Sequence, residues 1–127
     1  MGFPLHPVVL IDDAAYAVNA YVSQLRDGGI SNVVSFFNGE DALQYLRKNS
    51  CSLVLLDLSL PGISGEEVLA EASASFPQTP VIIVTASEDS ESVVRCMKGG
   101  AFDYLVKPVA STRLITAIKR ALEYASL

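Results

Sequence analysis

The chain has 127 residues, half of them hydrophobic and 18% charged, with a net charge of −5. That is the length and composition of one globular domain with a real core, which excludes a disordered segment. The acidic balance argues against a nucleic-acid-binding surface, since phosphate contacts need clustered Lys and Arg.

Taken in order, the chain alternates between short apolar runs and amphipathic helices. Val8 to Asp12 reads as a strand, and Asp13 to Asp27 as a helix with Ala17, Tyr21 and Leu25 on one face, stopped by Gly28-Gly29. Val33 to Phe37 is β-branched and aromatic, and Asn38 can cap a helix that buries Ala42, Leu43 and Leu46 and ends near Asn49. Ser52 to Asp57 is a continuous apolar run before a Pro/Gly turn, the pattern of a strand buried on both faces. Gly65 to Ser75 places Val68, Leu69 and Ala72 on one helical face. Val81 to Thr85 is a fourth strand, Ser87 to Lys98 a helix ended by Gly99-Gly100, Asp103 to Lys107 a fifth strand, and Ser111 to Ala125 a helix with the stripe Leu114, Ile118, Leu122 and Ala125.

Strict β/α alternation means right-handed crossovers and an α/β architecture, a parallel sheet covered by helices on both faces. For five strands the common order is 2-1-3-4-5, with ligands bound at the carboxyl edge beside the switch point. The helix stripes, Tyr21 and Leu122 included, read as core. Cys51 and Cys96 have no metal or redox spacing and read as reduced small hydrophobes. No stretch has membrane-spanning length and the first residues do not form a signal peptide, so a soluble, cytoplasmic protein is expected.

The strand ends carry the chemistry. The first ends in Asp12-Asp13, the third in Asp57, the fourth in Thr85 and the fifth in Lys107-Pro108. Each has a plain structural explanation: Asp13 as a helix cap, Asp57 as a turn former, Thr85 bonded to nearby backbone, Lys107 as a solvated charge. At one sheet edge they form a site. Three carboxylates brought together repel, and one of them tends to keep its proton unless a cation is present. Oxygen-only ligands select a hard ion such as Mg²⁺, with a backbone carbonyl just after Asp57 as a further ligand. A carboxylate can accept a phosphoryl group as an acyl phosphate, with Lys107 and the Thr85 hydroxyl contacting the phosphoryl oxygens.

Val-Leu-Ile-Asp-Asp, Leu-Leu-Asp-Leu-Ser-Leu-Pro-Gly-Ile-Ser-Gly, Val-Ile-Ile-Val-Thr-Ala and Gly-Ala-Phe-Asp-Tyr-Leu-Val-Lys-Pro, in this order, resemble the receiver domain of two-component response regulators over residues 1–127. The resemblance implies a flavodoxin-like fold, with Asp57 as phosphoacceptor, Asp12, Asp13 and the Ser59 carbonyl as further Mg²⁺ ligands, and Thr85 and Lys107 on the phosphoryl group. It also implies that Tyr104 is a switch residue, that Lys107-Pro108 is cis, and that the domain is a phosphoacceptor and not an enzyme. The donor would be a histidine kinase or histidine phosphotransfer protein. The output would be the surface of the helix from Ser87 to Lys98, the fifth strand and the last helix, in a stand-alone receiver or in one that passes the signal to a C-terminal effector outside this chain or to a phosphorylation-dependent homodimer. The run from Val94 to Val109 is similar to receivers that precede ATP-dependent transcriptional activators.

Ile63 and Ser64 stand where many receivers have Met and Asp. Ser59 and Ser87 occupy positions that influence phosphoryl lifetime in the family. Among rivals, a flavodoxin needs a Ser/Thr-rich phosphate loop where this chain has Asp12-Asp13, and a Rossmann dehydrogenase needs a Gly-rich first turn. An aspartyl-phosphate phosphatase usually carries a second Asp at the position of Ser59. A receiver-like module that is never phosphorylated usually lacks one of the acids, the Thr or the Lys, all of which are present here.

Overall fold

The computed structural model describes residues 2–126. The elements alternate as expected: β1 Val8–Ile11, α1 Ala15–Asp27, β2 Val33–Phe36, α2 Gly39–Lys48, β3 Leu53–Leu56, α3 Gly65–Ser75, β4 Val81–Thr85, α4 Ser90–Lys98, β5 Asp103–Val106 and α5 Ser111–Ala125. The five strands form one sheet in the order β2-β1-β3-β4-β5, and every neighbouring pair is parallel. β1, β3 and β4 are buried along their whole length. The edge strands β2 and β5 are only partly covered, which is why their sequences mix polar with apolar residues.

Side chains alternate across the sheet, so each strand feeds two cores. Val8, Leu10, Leu53, Leu55, Ile82, Val84 and Leu105 pack on one face with Leu25 of α1 and Leu114, Ala117, Ile118 and Ala121 of α5. Val9, Ile11, Val54, Leu56, Val81 and Ile83 pack on the other with Leu43 and Leu46 of α2, Val68 and Leu69 of α3 and Cys96 of α4. Burying a large aliphatic side chain contributes about 1.5–3 kcal/mol, and these two layers are what hold the strand ends in line.

Two helix starts differ from the sequence reading, each because a local polar group overrides the pattern. α1 begins at Ala15, not Asp13: Ala14 is the cap residue and makes no side-chain cap, while the Ala14 amide donates to Asp12 Oδ1 at 2.9 Å. Asp13 is therefore not the helix cap. α4 begins at Ser90, not Ser87, capped by Asp89; the Ser87 carbonyl accepts from the Tyr104 hydroxyl at 2.8 Å, which holds it outside the helix. In α5, Leu122 is only partly buried and Ala125 is exposed, with Ala117 and Ala121 buried in their place. Other ends match: Asn38 caps α2 through the Asp41 amide, and Ser64 and Glu67 form a reciprocal capping box on α3. The Lys107-Pro108 peptide is cis, as expected, and Phe3-Pro4 is cis as well. No helix among the described residues is long and apolar enough to cross a membrane.

Candidate functional site

The parallel register places the site. Ile11 pairs with Leu56, so Asp12 and Asp57 leave their strands level with one another, and the Asp57 amide donates to the Ile11 carbonyl at 2.9 Å. Leu10, Leu55 and Leu105 lie on the α1/α5 face. Asp12, Asp57 and Lys107 each follow by two residues and so emerge on that same face. Lys107 Nζ donates to Asp12 Oδ2 at 2.8 Å and to Asp57 Oδ2 at 2.9 Å. The remaining oxygens are also engaged: Asp12 Oδ1 accepts from Ala14 N and Asp57 Oδ1 from Ser59 N at 3.1 Å. Asp12 and Asp57 are 3% and 8% exposed, so a single ammonium bridges two carboxylates that water barely reaches and offsets the charge of only one. Burial alone would lower the Lys107 pKa, but the hydrogen bonds to Asp12 and Asp57 outweigh it and hold the ammonium above the ordinary lysine range.

Thr85 belongs to the opposite face. It follows Val81 and Ile83 by the same alternation and is buried, while its carbonyl accepts from the Lys107 amide at 2.8 Å. Ile83 pairs with Tyr104, so Tyr104 lies beside β4 two rungs below Thr85, its ring packed against the α2–α4 core. The Tyr104 hydroxyl donates to the Ser87 carbonyl and lies 3.3 Å from the hydroxyl of buried Ser92 on α4. Ser92 was invisible to sequence reasoning, because a serine inside an amphipathic helix reads as an ordinary polar position.

The three carboxylates do not converge as a cage. Asp13 is exposed, and among the described residues no three His, Cys, Asp or Glu side chains are grouped closely enough to hold a metal ion. Lys107 Nζ contacts Asp12 and Asp57, and Asp13 stands apart from that bridge. The donor set still fits a hard divalent ion, with buried carboxylates from two strands, a third on the adjacent residue and no soft ligand beside them. Ser59, exposed in the loop after β3, touches the site through its amide. Cys51 is half-buried and Cys96 buried, both free; burial pushes the Cys51 thiol up to about 11 and raises Cys96 too, so neither is a reactive thiolate at neutral pH.

A doubly wound α/β domain with a polar site at the carboxyl edge of its first, third and fifth strands belongs to the flavodoxin-like class. Within that class, the model of the response regulator receiver domain matches residues 8–119, and the chain belongs to this family. It is 36% identical over 118 residues to the regulatory protein LuxO of Vibrio vulnificus, covering 92% of this chain and 26% of that protein. It is 33% identical over 117 residues to the transcriptional regulatory protein ZraR of Salmonella typhimurium, again covering 26% of the relative. The chain thus spans about a quarter of the length of the curated relatives it matches. The crystal structure of a putative LuxO receiver domain from Vibrio parahaemolyticus superposes with a TM-score of 0.89 at 31% identity, covering 95% of this chain and 92% of that one. A CheY-like receiver from Methanospirillum hungatei gives a TM-score of 0.90 at 26% identity, over 96% of this chain and 97% of that one.

Proposed function

We propose that residues 1–127 form a receiver that takes a phosphoryl group on Asp57 from the phosphohistidine of a histidine kinase or phosphotransfer protein. The observation that carries this reading is the ammonium of Lys107 bridging Asp12 and Asp57 at 2.8 and 2.9 Å, in a chain of the receiver family. An Asp57 carboxylate oxygen forms the new bond to phosphorus as the phosphorus–nitrogen bond of the donor breaks, and the electron pair stays on the imidazole. Lys107 exchanges the Asp57 oxygen for a phosphoryl oxygen, and the Thr85 hydroxyl donates to another. Asp12, Asp13, Asp57 and the Ser59 carbonyl would hold Mg²⁺, which when bound supplies a second cation to offset charge on the phosphoryl oxygens. The domain assists its own phosphorylation and hydrolysis and is not otherwise an enzyme. We place it in the cytoplasm, signalling to an effector of the kind a transcriptional regulator carries.

Incubation with acetyl phosphate and Mg²⁺ is expected to add one phosphoryl group, detected as intact mass. Chelation of the metal or Asp57→Asn should remove that addition. Equal labelling of Asp57→Asn would sink the assignment.

Metal binding is expected to raise the melting temperature, because a ligand that binds only the native state stabilises it by mass action. Asp13, exposed and uninvolved in the Lys107 bridge, is free to turn toward an ion, so Asp13→Ala should abolish most of the Mg²⁺-dependent shift while leaving the metal-free melting temperature within a few degrees. A shift of the same size in the variant would remove Asp13 from the ligand set.

The switch we propose follows from the shared face of Thr85 and Tyr104. Drawing the Thr85 hydroxyl toward a phosphoryl oxygen alters the packing beside the Tyr104 ring, whose hydroxyl ties it to the loop before α4 and to α4 itself. Adding beryllofluoride should move NMR signals from Thr85 through α4 and β5 to α5. Changes confined to the neighbourhood of Asp57 would reject the switch.

A further inference from the structure

We propose that Tyr21 is a positioning residue for the Lys107 ammonium, an inference that rests on the reading of Lys107 as the phosphoryl-contacting cation. Tyr21 lies midway along α1, on the helix face turned toward the sheet, and packs against the same core as Leu10, Leu55 and Leu105. Those three leucines directly precede, two residues down each strand, the groups of the site. Lys107 Nζ stands 5.7 Å from the centre of the Tyr21 ring, within the range at which an aromatic face attracts a cation. The ammonium therefore has two carboxylates and an aromatic ring as its neighbours.

The arrangement matters because Lys107 has to move. Its four-carbon stem is flexible and a quarter of its side chain is exposed, so once Asp57 Oδ2 is committed to phosphorus the ammonium loses one of its two anchors. The Tyr21 ring, held by core packing on a helix, remains in place through that exchange. It keeps Nζ within reach of the phosphoryl oxygens, where an aliphatic residue would leave water as the competing partner. The Tyr21 hydroxyl also interacts with Lys107, but the ring face needs no hydroxyl to attract a cation, so Tyr21→Phe keeps the ring's share of the contact and Tyr21→Leu removes both.

The test compares Tyr21→Leu with Tyr21→Phe in the intact domain. Tyr21→Leu is expected to slow phosphorylation by acetyl phosphate about threefold to tenfold, the rate equivalent of a cation–π contact in a partly desolvated site, while Tyr21→Phe stays within about twofold of wild type. In unphosphorylated protein, the Lys107 Hε protons should carry an upfield ring-current shift that Tyr21→Phe retains and Tyr21→Leu loses. That pairing separates positioning from bulk packing, which moves stability but not the Lys107 shift. Unchanged Hε shifts in Tyr21→Leu, wild-type rates in Tyr21→Leu, or equal slowing by both variants would each overturn the proposal. A wild type that takes up no phosphoryl group would instead overturn the acceptor reading, a failure recognisable because the Hε shift is read without phosphate.

Discussion

Lys107→Ala is expected to slow phosphorylation by about a hundredfold and to lower stability by roughly 2 kcal/mol at neutral pH. The rate follows from removing one preorganised donor aimed at developing charge, which typically costs about 10²–10³. The stability loss follows from what remains. Asp12 Oδ2 and Asp57 Oδ2 lie 2.8 and 2.9 Å from a single nitrogen, so they can be no more than about 6 Å apart, and two bare charges at that separation repel by about 3 kcal/mol at an effective dielectric near 20. Partial solvent access at Lys107 reduces that figure.

The same contact has a pH signature. The folded-state pKa of Lys107 is raised above the ordinary value of 10.5. Its contribution is therefore fully present below 10.5 and declines as the pH climbs from there toward the folded value, because the unfolded chain gives up its proton first. The stability gap between wild type and Lys107→Ala should stay level across the neutral range and narrow only above pH 10.5. Urea titrations at neutral and strongly alkaline pH measure it; a gap that widens with alkali would contradict the bridge.

Gly65→Ala is expected to cost about 3 kcal/mol, in the upper range for overpacking a filled site. Gly65 opens α3 directly behind the loop that follows Asp57, and a Cβ there would stand 2.4 Å from both the Asp57 carbonyl oxygen and Leu58 Cα. Those are backbone atoms, so relief means displacing the chain at Asp57 itself. The Gly65 amide also donates to the Leu58 carbonyl at 3.1 Å, which ties the two segments so that they cannot simply slide apart. The urea midpoint should fall with an unchanged slope, and phosphorylation should slow as well. A change below about 0.5 kcal/mol would mean that the loop yields easily.

The apolar runs made the strands legible, and with them the edge that gathers Asp12, Asp57, Thr85 and Lys107. Burial on both faces admits little but aliphatic residues, so Leu53 to Leu56 could hardly read otherwise. Helix starts were less legible because side chains elsewhere decide them: Asp12 takes the Ala14 amide and Tyr104 takes the Ser87 carbonyl. The division of the site between two faces follows from alternation, yet only the register shows Asp12 and Asp57 standing level. Tyr21 packs against the core as its stripe predicts, but an i, i+4, i+8 stripe cannot reveal that a lysine more than eighty residues later ends beside its ring. The spacing of the acids likewise gives no sign that Lys107 Nζ bridges Asp12 and Asp57, because that contact joins side chains from distant parts of the chain.

The most direct test of the central claim is the position of the phosphoryl group. Protein phosphorylated with acetyl phosphate and Mg²⁺, then reduced with borohydride, should yield a peptide spanning β3 in which residue 57 alone is converted to homoserine. Conversion at Asp12 or Asp13, or an acid-stable phosphate on Ser59 or Thr85, would contradict the assignment of Asp57 as the acceptor.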